Sequence, residues 1–140
     1  MQRYDKYILA LLSGLITLIV LYPTLQNGWT SWDDKIYILD NPLVKSLTTE
    51  SIYAIFTTWE YNGAYTPLPM LSWAVNYHFT GTEAFPFHLT NLILHLINTL
   101  LCFVFILLLT QNTTVAFVVG VLFGIHPMHL EPIAWITGRK

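Results

Sequence analysis

Three groups of residues in this chain have types and spacings that could do chemistry. The first is the adjacent carboxylate pair Asp33-Asp34, set among Trp29, Trp32, Ile36, Tyr37 and Ile38. Two neighbouring carboxylates at the edge of an apolar region cannot easily both ionise without a partner, so the pair is expected to hold a proton or a cation. Either outcome makes it a candidate general base or ligand site. The structural alternative is a cap for a helix starting at Asp34 or Lys35. The second group is Gly124-Ile125-His126-Pro127-Met128-His129-Leu130-Glu131-Pro132. His126 and His129 are i, i+3 and share a helical face if the backbone tolerates Pro127, which should kink the element. Imidazoles beside a carboxylate have metal-ligand chemistry, but this is not the His-Glu-x-x-His spacing of a zinc-protease helix, and polar residues lining a cavity are the alternative. The third group is His88, Asn91, His95 and Asn98, whose steps of three, four and three put them on one helical face.

The elements that must position these groups belong in a bilayer. From Ala84 to Leu130 the chain carries no Asp, Glu, Lys or Arg, room for about two crossings at ~20 residues each. A second uncharged run, Tyr7 to Trp32, holds the apolar core Ile8 to Tyr22. Hydrophobic residues make up 54% and charged residues 10% of the 140, with mean hydropathy +0.54, far from the roughly 25% charged residues of a soluble domain. The expected fold is all-α and integral to the membrane, with three transmembrane helices at about 7–25, 87–110 and 114–135. A polar face on the second of these must point into the bundle or a wet cavity, and helix-to-helix hydrogen bonding is its plainest use. His88, near the outer end, is the one placed to reach a site.

Arg3 and Lys6 flank the first span and place the N-terminus in the cytoplasm. The stretch Leu21-Tyr22-Pro23-Thr24-Leu25 offers no small-residue cleavage pattern, so the span reads as a retained anchor. Asp33-Asp34 then follows the first span outward and His126 to Glu131 follows the third, so both motifs lie at the same extracytoplasmic face. Independent motifs on one face suggest one site, which favours a functional acidic pair. Arg139 and Lys140 fall on that outer side too, against the usual bias, so either they have a task there or the chain continues into a further span. The sequon at Asn112 would face the cytoplasm and carries no meaning. Lone Cys102 excludes an internal disulfide framework. A net charge of −2 and a pI near 6.2 argue against nucleic acid as a partner.

The outer segment, about 26–86, carries six carboxylates (Asp33, Asp34, Asp40, Glu50, Glu60, Glu83) against Lys35 and Lys45. Thr48-Thr49-Glu50-Ser51 followed by Ile52, Tyr53, Ile55 and Phe56 predicts a capped interfacial helix at about 49–58. Pro67 and Pro69 open a second at about 68–79, with an apolar stripe of Leu68, Leu71, Val75 and Phe79, and Gly81 ends it.

The run Trp32 to Ile38, Asn41-Pro42, Tyr65-Thr66-Pro67-Leu68, Phe87 to Leu92, Leu94 to Asn98 and His126 to Pro132, on to Gly138-Arg139, resembles the start of a known family. It is similar to the N-terminal part of the polytopic type C (GT-C) glycosyltransferases, specifically the transmembrane-and-TPR O-mannosyltransferase-like proteins and their bacterial tetratricopeptide-bearing relatives. The resemblance covers nearly the whole chain with its motifs in order. It implies a partial GT-C fold in the bacterial inner membrane or endoplasmic reticulum. It also implies transfer of a mannose-like sugar from a polyprenyl-phosphate carrier to a hydroxyl on a protein or glycan acceptor, at the extracytoplasmic side.

Under that resemblance Asp33 is the general base and Asp34 assists it. Tyr37, Tyr65, His88, His126, His129, Glu131, Arg139 and Lys140 are the substrate-binding set, with Arg139 and Lys140 serving the phosphate. His129 and Glu131 are candidates to hold a divalent metal, which some relatives use and others do not. Thr66 stands where relatives often carry a basic residue. Relatives also have about ten or more spans, often followed by repeats, so this chain by itself would lack most of the carrier groove and is expected to be inactive alone, completed by further helices or a subunit. Two other readings stand beside this one: a non-catalytic membrane interaction subunit docking through the polar second-span face, and a small metal-binding membrane protein built on His126, His129 and Glu131.

Overall fold

The computed structural model describes residues 4–58 and 63–139; Arg3, Glu60 and Lys140 lie outside the described residues. Helix α1 (Asp5–Leu21) runs into a 3-10 turn, Tyr22–Gln26, at Pro23, and the two form one rod of 22 residues whose apolar 18-residue stretch has mean hydropathy 2.3. Helix α4 (Ala84–Thr110) has 27 residues, with an 18-residue stretch of mean hydropathy 2.7. At 1.5 Å per residue α4 reaches ~40 Å, more than the ~30 Å of a hydrocarbon core. Both helices expose large side chains along their flanks, among them Leu11, Ile19, Leu101, Phe105 and Leu108. Exposure of that kind fits lipid rather than water, and the chain is an all-α membrane protein.

The third apolar stretch is not one helix. Helix α5 (Thr113–Gly124) stops after 12 residues, ~18 Å of rise and too short to cross alone. A 3-10 turn (Pro127–His129) and the short α6 (Leu130–Ala134) follow, and the path bends by 50° at the break. Pro127 is the physical reason, since it has no N–H for the helical ladder and biases the residue before it to extended backbone; His126 sits at φ −64°, ψ 130°. The span read at about 114–135 with a kink at Pro127 is here a helix, a 3-10 turn and a second short helix. Among the described residues two helices are long enough to cross a membrane, and a third crossing exists if the bent pair counts as one span.

Inside the bundle small and polar side chains are buried beside large apolar ones, Phe103 and the Leu21, Leu25, Leu92 and Ile133 cluster. Ser13, Thr17, Thr99, Ala116 and Gly120 are buried where α1, α4 and α5 meet. The hydroxyls of Ser13, Thr17 and Thr99 donate to carbonyls on their own helices, Ala10, Ser13 and His95. Their satisfied polarity lets backbones approach closely, the usual device where lipid supplies no hydrophobic drive between helices. Gly124 is the tightest point, because a Cβ there would collide with the Thr17 hydroxyl.

Between α1 and α4 the outer segment folds on a core of its own. A one-turn π-helix (Lys35–Leu39), α2 (Thr49–Thr57) and α3 (Pro67–Thr80) surround Tyr37, Ile38, Val44, Ile55, Met70, Trp73 and Phe87. Thr48 caps α2 with a reciprocal box to Ser51, and buried Asn41 closes the turn after the π-helix by donating to the Tyr37 carbonyl and accepting from Leu43 N–H. On α3 the predicted stripe faces outward at Leu68, Val75 and Phe79, while Met70, Trp73 and Ala74 form the core face. Composition alone could not separate those two apolar faces.

Gly124→Ala is expected to cost ~1–3 kcal/mol by overpacking against Thr17. Gly120→Ala, whose Cβ would lie 3.4 Å from the Phe103 side chain, is expected to cost less. Thermal unfolding of the two variants in detergent, followed by size-exclusion, checks the order.

Candidate functional site

The outer segment is tied to the end of the bundle by three buried polar side chains. Asp34 has no exposed surface. One carboxylate oxygen accepts from Thr30 N–H at 3.0 Å, and the other from Thr137 N–H at 3.0 Å and the Thr137 hydroxyl at 2.8 Å. It precedes the π-helix but gives it no side-chain cap, so neither the helix-cap reading nor an open catalytic carboxylate describes it. Asp33 next to it is half-buried and does have a contact within the structure.

Asn91, on the second turn of α4, reads the other side of the same C-terminal turn. Its amide NH₂ donates to the Trp135 carbonyl at 3.0 Å and lies 3.3–3.5 Å from those of Pro132, Ile133 and Ile136. Those of Pro132 and Ile133 lie at the end of α6, where carbonyls lack helical partners, while that of Trp135 also accepts from Gly138 N–H. The Asn91 carbonyl oxygen accepts from Arg139 Nε at 2.6 Å. Arg139 closes the 3-10 turn Ile136–Arg139 and donates further to the Ser72 hydroxyl (2.9 Å), the Asn76 carbonyl oxygen (3.1 Å) and the Phe87 backbone carbonyl (2.9 Å). One guanidinium thus joins α3, α4 and the C-terminal turn. All four acceptors are neutral, and among the described residues no carboxylate pairs with it. Burial lowers its basicity to about 10, which leaves it a cation at neutral pH. Gly138 permits the turn, because a Cβ there would lie 2.7 Å from Pro132 Cα.

The histidines divide by neighbourhood. His95 Nε2 meets the Gly124 carbonyl at 2.9 Å, the last of α5, and its ring stacks on Phe123. His129 Nδ1 meets the Phe123 carbonyl at 2.8 Å, and its ring lies 5.5 Å from that of His95 and 5.8 Å from that of His126. His126 is exposed and accepts from Met128 N–H, and Glu131 is exposed. Among the described residues no three His, Cys, Asp or Glu side chains converge as metal ligands, so His129 and Glu131 have no third partner there.

Asn91, His95, Asn98, His129 and Arg139 line a cleft of about 380 Å³. Tyr37, Tyr65 and His88 are not among its walls. Tyr37 is core, packed toward Trp73. Tyr65 donates to the Phe56 carbonyl at the end of α2. His88 is wholly buried, with its ring toward the Gly28 and Ile133 backbone but no hydrogen bond of good geometry; it does not reach an open site as its helix position suggested. Sequence reasoning missed Thr30, Ser72, Asn76 and Thr137. Ser72 and Asn76, four apart on an otherwise apolar helix, were the available signal; nothing marked the two threonines.

Of the second-span polar face, Asn91 and His95 are thus spent inside the chain, on Arg139, the C-terminal turn and Gly124. Fold and site together define an integral membrane domain whose outer segment is latched to the bundle by charged and amide side chains. No family model and no solved structure matches it. It is 36% identical to mouse protein O-mannosyl-transferase TMTC1 over 93% of the chain, and 32% identical to the Drosophila melanogaster Tmtc1 enzyme over 94%. A Caenorhabditis elegans protein O-mannosyl-transferase is 29% identical over 86%. Over the segment it shares with them, the chain belongs to the TMTC-type protein O-mannosyl-transferase family. That segment is 14% of the mouse protein's length and 16% of the fly protein's.

Asp34→Ala leaves three donors without an acceptor, the two of Thr137 buried, and is expected to cost on the order of 3 kcal/mol. Asn91→Leu should destabilise similarly, and the pair should be non-additive because both break one turn. Thermal midpoints of the single and double variants in detergent measure this.

Proposed function

We propose that this domain is part of a mannosyltransferase that moves mannose from a polyprenyl-phosphate carrier to a hydroxyl of a protein acceptor at the extracytoplasmic face. The carrying observation is the latch between Asp34 and Thr137, which joins the acidic pair to the C-terminal turn and its cation. The relatives' names supply the sugar and the acceptor class.

In this reading the two carboxylates do different work. Asp34, sealed by three hydrogen bonds, is a positioning residue that sets the backbone between the outer segment and the bundle. Asp33, one residue away and half-buried, is the general base. It takes the proton from the acceptor hydroxyl as that oxygen bonds to the sugar's anomeric carbon. The bond from that carbon to the carrier phosphate breaks, and its electron pair leaves on the phosphate. A hydroxyl needs such proton removal, whereas a phosphate leaving group needs only charge stabilisation. Arg139 supplies positive potential there, with four of its five N–H donors already committed within the chain.

Two observations weigh against the alternatives: Asn91 and His95 of the second-span polar face are occupied from within, and among the described residues no three His, Cys, Asp or Glu side chains converge as metal ligands. The test is mannosyl transfer by the full-length protein from polyprenyl-phosphate mannose. Asp33→Asn is expected to lower turnover ~10²–10⁴-fold with the thermal midpoint unchanged. Wild-type turnover in that variant would sink the assignment of the base.

A further inference from the structure

His88 has no exposed surface, and neither of its ring nitrogens has a hydrogen bond of good geometry among the described residues. A buried polar group in that state is rare and costly, and calls for a reason. The ring faces two backbone carbonyls, those of Gly28 and Ile133. Gly28 stands in the stretch that leads to Trp29 and Asp34, while Ile133 belongs to α6, just ahead of the turn that carries Thr137 and Arg139. His88 therefore sits at the seam that the Asp34 and Thr137 latch closes. Its neighbour Phe87 packs edge-on against Trp29 of the outer segment.

A neutral imidazole has one N–H and can donate to only one of those carbonyls. The protonated ring has two donors, but it brings a charge into a place closed to water. The charged groups around it are Asp34, from the start of the π-helix, and Arg139, from the C-terminal turn. The Asp34 carboxylate is already committed to three donors, and Arg139 is itself a cation. From the other two sides come only backbone carbonyls, since Glu131 of α6 is exposed. A second cation is therefore accommodated only by admitting water, which means parting the outer segment from the end of the bundle.

We propose that His88 is a positioning residue that makes the latch sensitive to acid. Neutral, it lies sealed in the seam and the segment carrying Asp33 stays seated on the bundle; protonated, it opens the seam and releases that segment. An imidazole in the opened seam titrates near its ordinary ~6.5, so the open state takes up a proton that the closed state does not. By linkage the closed state is favoured above that pH and loses ground below it. For one such group the ratio of open to closed rises about tenfold between about pH 7.5 and 5.5. The seam works this way whichever reaction the domain serves.

Hydrogen exchange of the full-length protein in detergent, read by mass spectrometry and corrected for the intrinsic pH dependence of amide exchange, follows the opening. Peptides covering 30–41 and 133–139 are expected to exchange through an opening equilibrium about tenfold larger at about pH 5.5 than at about pH 7.5. Peptides from the deeper part of α4, 96–110, should show no such ratio. His88→Gln keeps a donor and an acceptor but cannot take a charge, and should bring the ratio below about twofold. His88→Leu, which has no polar atom, serves the same purpose should the glutamine variant fail to fold. His126→Gln, at an exposed imidazole, should keep the tenfold rise. A histidine that only filled space would change exchange alike at both pH values and leave the ratio in place. A wild-type ratio near one, an equal ratio in both His88 variants, or a ratio abolished by His126→Gln overturns the assignment.

Discussion

The 2.6 Å hydrogen bond from Arg139 to Asn91 is the contact on which the outer half of this molecule depends. A guanidinium that is largely removed from water must find acceptors for its donors or lose several kcal/mol. It finds them on α3, on α4 and on the α4 backbone, so satisfying one side chain fixes three elements at once. Asn91 extends the arrangement by turning its NH₂ to the carbonyls left open at the end of α6. Neither residue could be replaced by an apolar one without orphaning the other's partners.

Asp34 completes that arrangement from the opposite side. Its carboxylate reaches across more than a hundred residues of sequence to Thr137, which holds the outer segment against the C-terminal turn independently of the Trp29–Phe87 edge contact and the Trp135–Thr30 hydrogen bond. A buried carboxylate and a half-buried guanidinium bracket the same turn without pairing to each other. Each is neutralised by dipoles instead of by a counter-ion, which leaves Arg139 as a cation with unspent potential beside a cleft. In the proposed transferase that would be a useful state, since a preformed salt bridge would have to be broken before an anion could bind.

Within the bundle the constraint is closeness rather than charge. The Gly124 contact with Thr17 brings α5 against α1, and His95 then meets the Gly124 carbonyl, one that Pro127 keeps from a normal helical end. Breaking α5 there turns the chain back over the bundle end and carries Arg139 to α4. The proline thus does more than interrupt a span, because it directs the segment that builds the site.

Much of this was legible in the residues. Uncharged runs of sufficient length dictate helices in lipid, because backbone groups there must bond internally, and the capping residues Thr48 and Gly81 mark ends of α2 and α3 through local hydrogen bonds and backbone freedom. The acidic pair, the polar α4 face and the His126 to Glu131 stretch were visible as polar groups where polarity is costly. What they do was not visible, because partners more than forty residues apart in sequence are chosen by packing and not by spacing. Only the folded chain decided that Asp34 is spent on Thr137 while Asp33 stays half-buried, that Asn91 serves Arg139, and that Tyr37 and His88 are sealed away from the cleft. Local sequence controls the elements because their hydrogen bonds are local; the site depends on which buried donor meets which buried acceptor across elements, and tertiary geometry alone sets that.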